Sequence, residues 1–508
     1  MAPSAHPALH FLSCAILFHW ATVSFRSTAF MHWWARAPCR TSRVHRRFFW
    51  QEERAPSSIK IHDFAPSWKE LRGKLKAVQT FDERNFRRDL DEGRGRPHAM
   101  ADLRTFGQDA SAAERVILYR DAASWCPYCQ RVWLLLEEKG IPYIVRRVPM
   151  NCYGEKPMAF LDIQPSGQIP VGIIDGSVLS SSDQIVRRLL KHPGASREAD
   201  DALDPFDHSS SQSLLSLERD LFSAWSQWLR GGVGRAGFEA ALGKVETALN
   251  ADTAGPFFLG KRFSLVDIMF VPFLERIVAS LAYYKGFNVR DPVQYPALSA
   301  WLDAMDTRPA YQATKSDYYT HAHALPAQLG DCHSARDGAV VRGEVDGGTW
   351  RWPLTPGVEA DWKWHSPAAA RREAAERLLH HPEDVVNFAS RGAALATGSR
   401  PSLTAREIAL EFELEGFPPA KADLADPGAK TSVEWLASID VVLRHVAAML
   451  LADDAALPDS ADERSPGEME AWTLAQENLE SIPADSRSVL AESIEYLQRR
   501  IGVPRDMS

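Results

Sequence analysis

The fold is decided between residues 116 and 140, which read VILYRDAASWCPYCQRVWLLLEEKG. The stretch opens with apolar residues at 116–119, a run typical of a short buried strand. Apolar residues then recur at helical spacing over residues 132–136, and Gly140 ends that pattern. The sequence therefore predicts a strand and a helix joined by a loop that carries the Cys-Pro-Tyr-Cys motif of residues 126–129.

The two cysteines of this motif have the spacing of a reactive pair. Cys126 lies where the helix begins, so that unsatisfied N–H groups and the positive end of the helix dipole face its sulfur. Such positions favour a thiolate, and Pro127 presets the first helical turn. Two structural cysteines or half of a zinc site are the alternatives, but no second Cys-x-x-Cys follows. We predict that Cys126 and Cys129 are catalytic, and we predict no metal.

The sequence after this helix completes a recognisable order of elements. Residues 143–148 and 171–174 are predicted strands, and Asp175-Gly176 is a hairpin signal that leads to a further strand at 178–179. A helix over residues 182–190 closes the unit. This βαβ and then ββα order is typical of a thioredoxin-like domain.

Two features of the predicted domain suit a small extended peptide such as glutathione. A cis-proline at Pro170 would turn the backbone of Ile169 towards the thiolate and offer its N–H and C=O to the peptide. Ser182 opens the last helix, whose free N–H groups and hydroxyl suit a γ-glutamyl carboxylate. Alternatively Ser182 or Asp183 caps this helix, and the two roles are compatible.

Four short motifs between residues 115 and 190 carry a resemblance to a known family. They are Cys-Pro-Tyr-Cys (126–129), Asn-Cys-Tyr-Gly-Glu-Lys-Pro (151–157), Pro-Ser-Gly-Gln-Ile-Pro-Val (165–171) and Ser-Ser-Asp (181–183). Together they resemble the N-terminal domain of Cys-type glutathione transferases. The run from Tyr119 to Trp133 looks most like the Iota class of photosynthetic organisms, and the Omega and Lambda classes are close behind.

The resemblance implies a glutathione site in which Cys126 is the catalytic thiol and glutathione is the co-substrate. It assigns glutathione contacts to five residues: Lys156, Ile169, Pro170, Ser181 and Ser182. One of these departs from the family pattern, because Ser181 stands where the family has Glu. A carboxylate that organises the pocket is thereby replaced by a hydroxyl.

The next segment, residues 205–330, is predicted to be an all-helical transferase domain. Ser264 and Asp267 form a capping-box pattern before an apolar run, and this pattern resembles the capping box at the core of the helical domain of glutathione transferases. A stripe of aromatic residues in this segment either lines a hydrophobic acceptor site or fills the core. These residues are Trp225, Trp228 and Tyr283.

The first 51 residues have the composition of a targeting sequence, since they contain no Asp or Glu and six Arg. Their apolar run, residues 8–25, is too short and impure for a membrane span of ~20 residues. The small residues and Phe at 27–30 and the Arg-rich sequence after them resemble the bipartite signals of plastids bounded by extra membranes. We therefore predict a plastid location, with the mitochondrion as the alternative.

The predicted fold class is an α/β thioredoxin-like domain, an all-α transferase domain and a mostly helical C-terminal extension. The predicted segments are 1–51 (targeting), 52–110 (an N-terminal extension with one helix and a connector), 111–197 (thioredoxin-like, glutathione-binding), 205–330 (helical transferase domain) and 340–508 (a C-terminal helical domain of unknown role). Four tryptophans crowd residues 350–364 of the last segment. Docking onto the transferase core would explain them.

Composition narrows the function further. The net charge of −8 argues against a nucleic-acid partner, and six cysteines are too few for a secreted disulfide framework. No stable membrane span is predicted in the mature chain. The sequence favours a glutathione-dependent thiol transferase or reductase acting on a small hydrophobic or glutathionylated substrate, and a homodimer is a candidate assembly. A non-catalytic ligand-binding or scaffold protein, or a glutathione-ligated iron–sulfur carrier, remains the alternative.

Overall fold

The computed structural model describes residues 65–95, 98, 100–122, 125–150, 156–193, 209–231, 233–251, 254–316, 318–329, 332–346, 367–380, 382–396, 433–452 and 490. The predicted targeting sequence and the tryptophans of residues 350–364 lie outside them. The chain divides into two compact units. The central unit comprises Phe81–Met150, Phe160–Lys363 and Gly502–Ser508, and the terminal unit comprises Met1–Thr80, Asn151–Ala159 and Trp364–Ile501.

The described helices, in chain order, are α1 Trp68–Val78, α2 Phe81–Asp91, α3 Ala110–Ala113, α4 Pro127–Lys139, α5 Met158–Leu161, α6 Ser182–Leu190, α7 Ser209–Arg230, α8 Arg235–Leu249, α9 Leu265–Lys285, α10 Pro296–Asp306, α11 Pro309–Thr314, α12 Tyr318–Leu329, α13 Ala339–Asp346, α14 Pro367–His380, α15 Pro382–Ala396 and α16 Val433–Leu450. A 3₁₀ turn, Arg336–Gly338, precedes α13. None of these described helices combines the length and apolarity that a membrane crossing requires.

The described part of the central unit contains a five-stranded mixed sheet. Its strands are β1 Leu103–Arg104, β2 Val116–Asp121, β3 Tyr143–Val148, β4 Val171–Ile174 and β5 Ser177–Leu179. The order is β1-β3-β2-β4-β5, with β2 parallel to β3 and the other pairs antiparallel. The predicted thioredoxin-like order is confirmed, and β1 is an addition that the sequence analysis missed.

Helices α4 and α6 pack through apolar faces. Residues 134–136 of α4 are fully buried, and Gly140 ends the helix in the left-handed conformation at φ 60°. In α6 the buried face includes Ile185 and Leu189. Gly172 of β4 allows α6 to approach closely, because a Cβ there would lie 3.0 Å from the Ile185 side chain.

The helical part of the central unit is built around α9. The backbone N–H of Ser264 donates to Asp267 Oδ2 at 2.8 Å, so the predicted capping box is confirmed. Asp267 Oδ1 also accepts from Trp301 Nε1 at 2.8 Å. Trp225 is buried and donates to Ser280 Oγ at 2.9 Å. Trp228 and Tyr283 are buried too, and all three residues of the predicted aromatic stripe therefore belong to the core.

The segment predicted as an N-terminal extension is more structured than one helix and a connector. It contains α1, α2 and strand β1, which extends the sheet beside β3 through the pair Leu103 and Ile144. Helix α2 was missed because its sequence, FDERNFRRDLD, is mostly charged. Its Phe86 and Leu90 are nevertheless buried.

In the terminal unit, α1 packs with helices from the far end of the chain. Trp68 Nε1 donates to Asp440 Oδ1 at 2.8 Å, and Arg72 Nε donates to the carbonyl of Leu379 at 3.0 Å. Arg444 Nη1 of α16 donates to the carbonyl of Ala65 at 2.9 Å. The described residues of 65–80 and of 367–452 thus share one helical unit, whereas the predicted domain boundaries stay a prediction.

Candidate active site

Cys126 is the N-cap residue of α4, directly after the loop that follows β2. Its backbone is extended (φ −61°, ψ 120°), Pro127 is the first helical residue, and the thiol makes no capping hydrogen bond. Because the side chain does not cap the helix, the N–H groups of the first turn stay available to a charge on the sulfur. The predicted placement of the motif between the strand and the helix is confirmed.

Cys129 and Asp121 lie beside Cys126, and all three are buried. The two sulfurs and a carboxylate oxygen of Asp121 lie within 4.8 Å of one another, and both cysteines are free thiols. Burial raises the pKa of Cys129 well above its usual value, and the neighbouring Cys126 and Asp121 contribute to this rise. Three donors are fewer than a structural zinc site uses, and we assign no metal to this group.

Asp121 shapes the loop that leads to the motif. It is the last residue of β2 and is fully buried, and its Oδ2 accepts a hydrogen bond from the backbone N–H of Trp125. Its Oδ1 has no hydrogen-bond partner within the part of the chain that the structure describes. The sequence analysis did not identify Asp121, although a charged residue at the end of an apolar strand is a usable signal.

Arg276 reaches the same loop from α9. Its Nη2 donates to the carbonyl of Trp125, and its Nη1 donates to Gln130 Oε1 at 2.8 Å. Burial lowers the pKa of Arg276, whereas the charges of Glu275, Cys126 and Asp121 act in the opposite direction. This residue was also missed, although Glu275-Arg276 is a charged pair in the middle of an apolar helix.

The N-terminus of α6 lies next to α4. Ser181 is its N-cap residue, with Oγ accepting from the N–H of Gln184 at 3.3 Å, so the cap is neither Ser182 nor Asp183. Ser182 is buried in the first turn. The carboxylate of Asp183 lies 3.6 Å from Nη1 of Arg131, which belongs to α4. The predicted γ-glutamyl site and the cysteine helix are therefore neighbours.

The Ile169–Pro170 peptide bond is cis, as the sequence predicts. Val171, the next residue, pairs with Tyr119 near the C-terminal end of β2. The cis bond therefore lies at the same end of the strands as the start of the cysteine loop. The Ile169 side chain packs against a small apolar cluster that includes Val148. Lys156 is half-buried and belongs to the terminal unit. The assignment of glutathione contacts to these residues stays a prediction.

An aromatic surface adjoins the motif through Tyr128. The Tyr128 ring meets Phe273 edge to face at 5.5 Å, and Phe222 meets Phe273 at 5.2 Å. Arg219 Nη1 donates to the Tyr128 hydroxyl at 3.0 Å, and its guanidinium lies 4.6 Å from the Phe273 ring centroid. Tyr128, Arg219 and Phe222 are half-buried. Unlike the predicted stripe, these side chains are partly accessible.

Comparisons with known proteins match both the domain that carries the cysteines and the helical domain. The family model described as glutathione S-transferase, N-terminal domain, matches residues 125–192, and the C-terminal domain model matches residues 201–304. "Glutathione S-transferase DHAR2" of Arabidopsis thaliana is 30% identical over 39% of this chain and 86% of the relative. "Glutathione S-transferase DHAR3, chloroplastic", also from Arabidopsis thaliana, is 29% identical over 38% of this chain and 69% of the relative.

Among solved structures, glutathione transferase Omega 3C from Trametes versicolor is similar, with 30% identity and a TM-score of 0.34, over 40% of this chain and 90% of the other. The matched residues include both cysteines and the segments that carry Pro170, Ser182 and the helices around α9. The chain belongs to the glutathione S-transferase family, a family of enzymes whose co-substrate is glutathione.

Proposed function

We propose that this enzyme removes glutathione from small molecules or from protein mixed disulfides through a Cys126 thiolate. The observation that carries the proposal is the uncapped N-terminus of α4, where Cys126 provides a thiol in place of a capping hydroxyl. A thiolate is the nucleophile of disulfide exchange, and fixed N–H dipoles stabilise it. The raised pKa of Cys129 gives the two thiols different roles, because Cys129 keeps its proton.

The reaction proceeds through two thiol–disulfide exchanges. The Cys126 thiolate attacks the glutathione sulfur of a mixed disulfide, so that a Cys126–glutathione disulfide forms and the substrate leaves as a thiolate. A second glutathione thiolate then attacks the glutathione sulfur of the adduct. This step releases glutathione disulfide and regenerates the Cys126 thiolate, so each turnover consumes one free glutathione and exchanges the disulfide bond of the substrate for that of glutathione disulfide.

Glutathione binds, in this proposal, between the cysteine motif, the cis-proline Pro170 and the N-terminus of α6. The backbone of Ile169 pairs with the cysteinyl unit, and the N–H groups of the α6 first turn, with the Ser182 hydroxyl, hold the γ-glutamyl carboxylate. The contact between Asp183 and Arg131 supports this arrangement, since it places the start of α6 against the cysteine helix. The glutathione contact of Lys156 stays an implication of the resemblance.

The acceptor side of the site is the aromatic surface of Tyr128 and Phe222, whose rings pack on the buried ring of Phe273. Partly accessible rings beside a reactive thiol suit a small hydrophobic group attached to the glutathionyl sulfur. Trp225, Trp228 and Tyr283 are excluded from this role because they are buried in the core. Phe222→Ala is therefore expected to raise KM for hydrophobic mixed disulfides more than for glutathionylated cysteine.

The decisive experiment is intact mass spectrometry after incubation with glutathione disulfide, followed by peptide mapping. We expect one glutathione adduct, on Cys126, and its loss when reduced glutathione is added. Cys332→Ser is the matched control, because Cys332 is also a buried cysteine of the central unit. Glutathione binding without any adduct on Cys126 would instead favour the scaffold alternative. A brown protein after anaerobic purification would favour the iron–sulfur carrier.

Within the family we propose an Iota-like member that enters plastids. The motif around Cys126 supports the class, and the acid-free first 51 residues support the location. The chloroplastic name of one relative points the same way. A fusion of residues 1–60 to a fluorescent protein is expected to enter plastids, and a signal confined to the cytosol would contradict the proposal.

A further inference from the structure

We propose that Arg276 is a positioning residue for the reaction of Cys126, so that the helical domain supplies the fixed cation of the thiol site. The inference rests on the proposed function for its biological meaning, although its geometry stands alone. Arg276 lies on α9, and its guanidinium donates to the carbonyl of Trp125, the residue directly before Cys126. Arg276 therefore holds in place the loop segment that presents the Cys126 thiol.

The guanidinium is fixed in orientation on several sides. Its Nη1 donates to Gln130 Oε1 at 2.8 Å and to the carbonyl of Pro272 at 2.5 Å. Its carbon lies 5.0 Å from the centroid of the Trp125 ring, at stacking distance. Arg276 is 1% exposed, so water does not screen its charge. A cation held in this way needs no reorganisation when a thiolate forms.

Gln130 links Arg276 to the rest of the buried network. Gln130 lies in the first turns of α4, one residue after Cys129, and its Nε2 donates to Glu275 Oε2 at 2.8 Å. The same amide nitrogen donates to the carbonyl of Thr314 at 3.2 Å. Because both the amide oxygen and the amide nitrogen of Gln130 are occupied, the helix that carries the thiol is tied to α9 through Arg276 and Glu275 together.

The charges around the thiol show why a cation is needed. Asp121 at the end of β2 and Glu275 on α9 are buried carboxylates, and Cys129 is a buried thiol on α4. Glu275 Oε1 accepts from Ser316 N and from His321 Nε2, each at 2.6 Å. A Cys126 thiolate would thus be a further anion in a buried, acidic site. The positive charge of Arg276 on α9 compensates that negative charge.

Other ionisable groups nearby are accounted for by their own contacts. Arg120 of β2 donates to the carbonyl of Asp121 at 3.0 Å and stacks on the Trp133 ring at 4.6 Å. Burial raises the pKa of Tyr311, which keeps its proton. The charge of Cys126 also favours the cationic form of Arg276, in agreement with their proximity. Arg276 is therefore a cation of the helical domain that lies beside the thiol loop.

The test measures the pH dependence of Cys126 alkylation by iodoacetamide in the full chain carrying Cys129→Ser, with the modified residue assigned by mass mapping. We expect Arg276→Gln to move the midpoint of the pH–rate profile upward by about one unit or more, the size of a nearby-charge effect. Arg276→Lys keeps the charge and is expected to keep most of the midpoint, while turnover falls because the carbonyl of Trp125 loses its fixed donor.

Arg290→Gln is the matched control, since Arg290 is a buried arginine of the helical domain, paired with Asp303 and Asp306 rather than with the thiol loop. In this variant the midpoint of the pH–rate profile of Cys126 alkylation is expected to stay unchanged. A folded Arg276→Gln variant with an unchanged midpoint overturns the proposal.

If Arg276→Gln does not fold, as judged by circular dichroism, the same alkylation profile is measured on Glu275→Gln. It leaves Arg276 in place and removes an opposing carboxylate, so the midpoint is expected to fall, and an unchanged or higher midpoint overturns the proposal. Alkylation needs no glutathione, so the two proposals fail separately. An Arg276-dependent midpoint without any glutathione adduct would reject the proposed function and retain the role of Arg276.

Discussion

The N-termini of α4 and α6 are close neighbours in the central unit, but one has a side-chain cap and the other has none. At α6 the hydroxyl of Ser181 accepts a hydrogen bond from the helix, whereas at α4 the thiol of Cys126 accepts none. A serine N-cap is worth about 1 kcal/mol of stability, and α4 forgoes it. One N-terminus is therefore capped, which stabilises its helix, and the other is left uncapped beside a sulfur that can carry a charge.

Packing explains how α4 tolerates the open end. Nearly the whole helix is buried, including the leucines of residues 134–136, and Gly140 closes its C-terminus. Each fully buried leucine side chain contributes about 1.5–3 kcal/mol, which outweighs a missing cap. Helix α6 is shorter, and one of its faces is exposed. Its cap is therefore a larger share of what stabilises it.

The largest expected effect comes from closing α4 with Cys126→Ser. Reduction of a glutathionylated peptide at fixed glutathione is expected to fall by about 10³-fold or more, because a serine hydroxyl stays protonated at neutral pH and is a poor nucleophile. The same change places a capping residue on α4, and the free energy of unfolding is expected to rise by about 0.5–1 kcal/mol. Fixed-time activity assays measure the rate of reduction, and urea unfolding measures the free energy of unfolding.

The two readouts of Cys126→Ser test the comparison separately. Cys126→Ala is the control, since it removes the thiol without supplying a capping oxygen. Activity lost in both variants, with a stability gain in the serine variant alone, is the expected pattern. Equal unfolding free energies in the two variants would mean that the N-terminus of α4 cannot accept a cap.

A smaller effect is expected from opening α6 with Ser181→Glu. Ser181 is exposed, so a glutamate fits there, and it supplies the carboxylate that the resemblance to Cys-type transferases implies at this position. Hydrogen bonds to charged groups contribute about 1.5–3 kcal/mol, which predicts roughly 10- to 100-fold tighter glutathione binding. The lost cap is expected to lower the free energy of unfolding by about 1 kcal/mol. Calorimetry and urea unfolding measure the two changes.

Ser181→Ala serves as the matched variant, since it loses the cap and gains no carboxylate. It is expected to be destabilised as much as Ser181→Glu, with no gain in affinity. If Ser181→Glu binds glutathione no more tightly than the native enzyme, the pocket obtains its charge from another residue, and the assignment of Ser181 to the γ-glutamyl site is wrong.

Local pattern was enough to predict the half of the site that α4 and α6 contribute. The strand, the cysteine loop and the helix ending at Gly140 are consecutive in sequence, so spacing alone specifies them. The half contributed by α9 could not be predicted in the same way. Arg276 reaches Trp125 only after the helical part of the chain has packed on the sheet, and nothing in the spacing of the two residues indicates contact.

Local pattern also failed where tertiary burial overrides composition. Helix α2 is mostly charged, yet Phe86 and Leu90 bury one side of it. Strand β1 has only two residues, too few for a period-2 pattern, and is defined by its pairing with β3. The aromatic stripe shows the reverse problem: helical spacing identifies Trp225 as a residue that faces inward but does not distinguish a pocket from the core.

The smallest expected effect concerns Cys129, one turn into α4 and away from the open end. Burial raises its pKa, so the thiol stays protonated below the alkaline range and is expected to resist alkylation at pH 7 while Cys126 reacts. Cys129→Ser is therefore expected to change turnover of glutathionylated peptides by no more than about twofold, since exchange with glutathione needs one thiolate. Reduction of a protein disulfide needs a second thiol and is expected to be lost. Both assays use equal glutathione, with Cys332→Ser as the control. If Cys129→Ser is as inactive as Cys126→Ser towards glutathionylated peptides, the two thiols act as a dithiol pair, and the open N-terminus of α4 begins a thioredoxin-like cycle instead of a glutathione-dependent one.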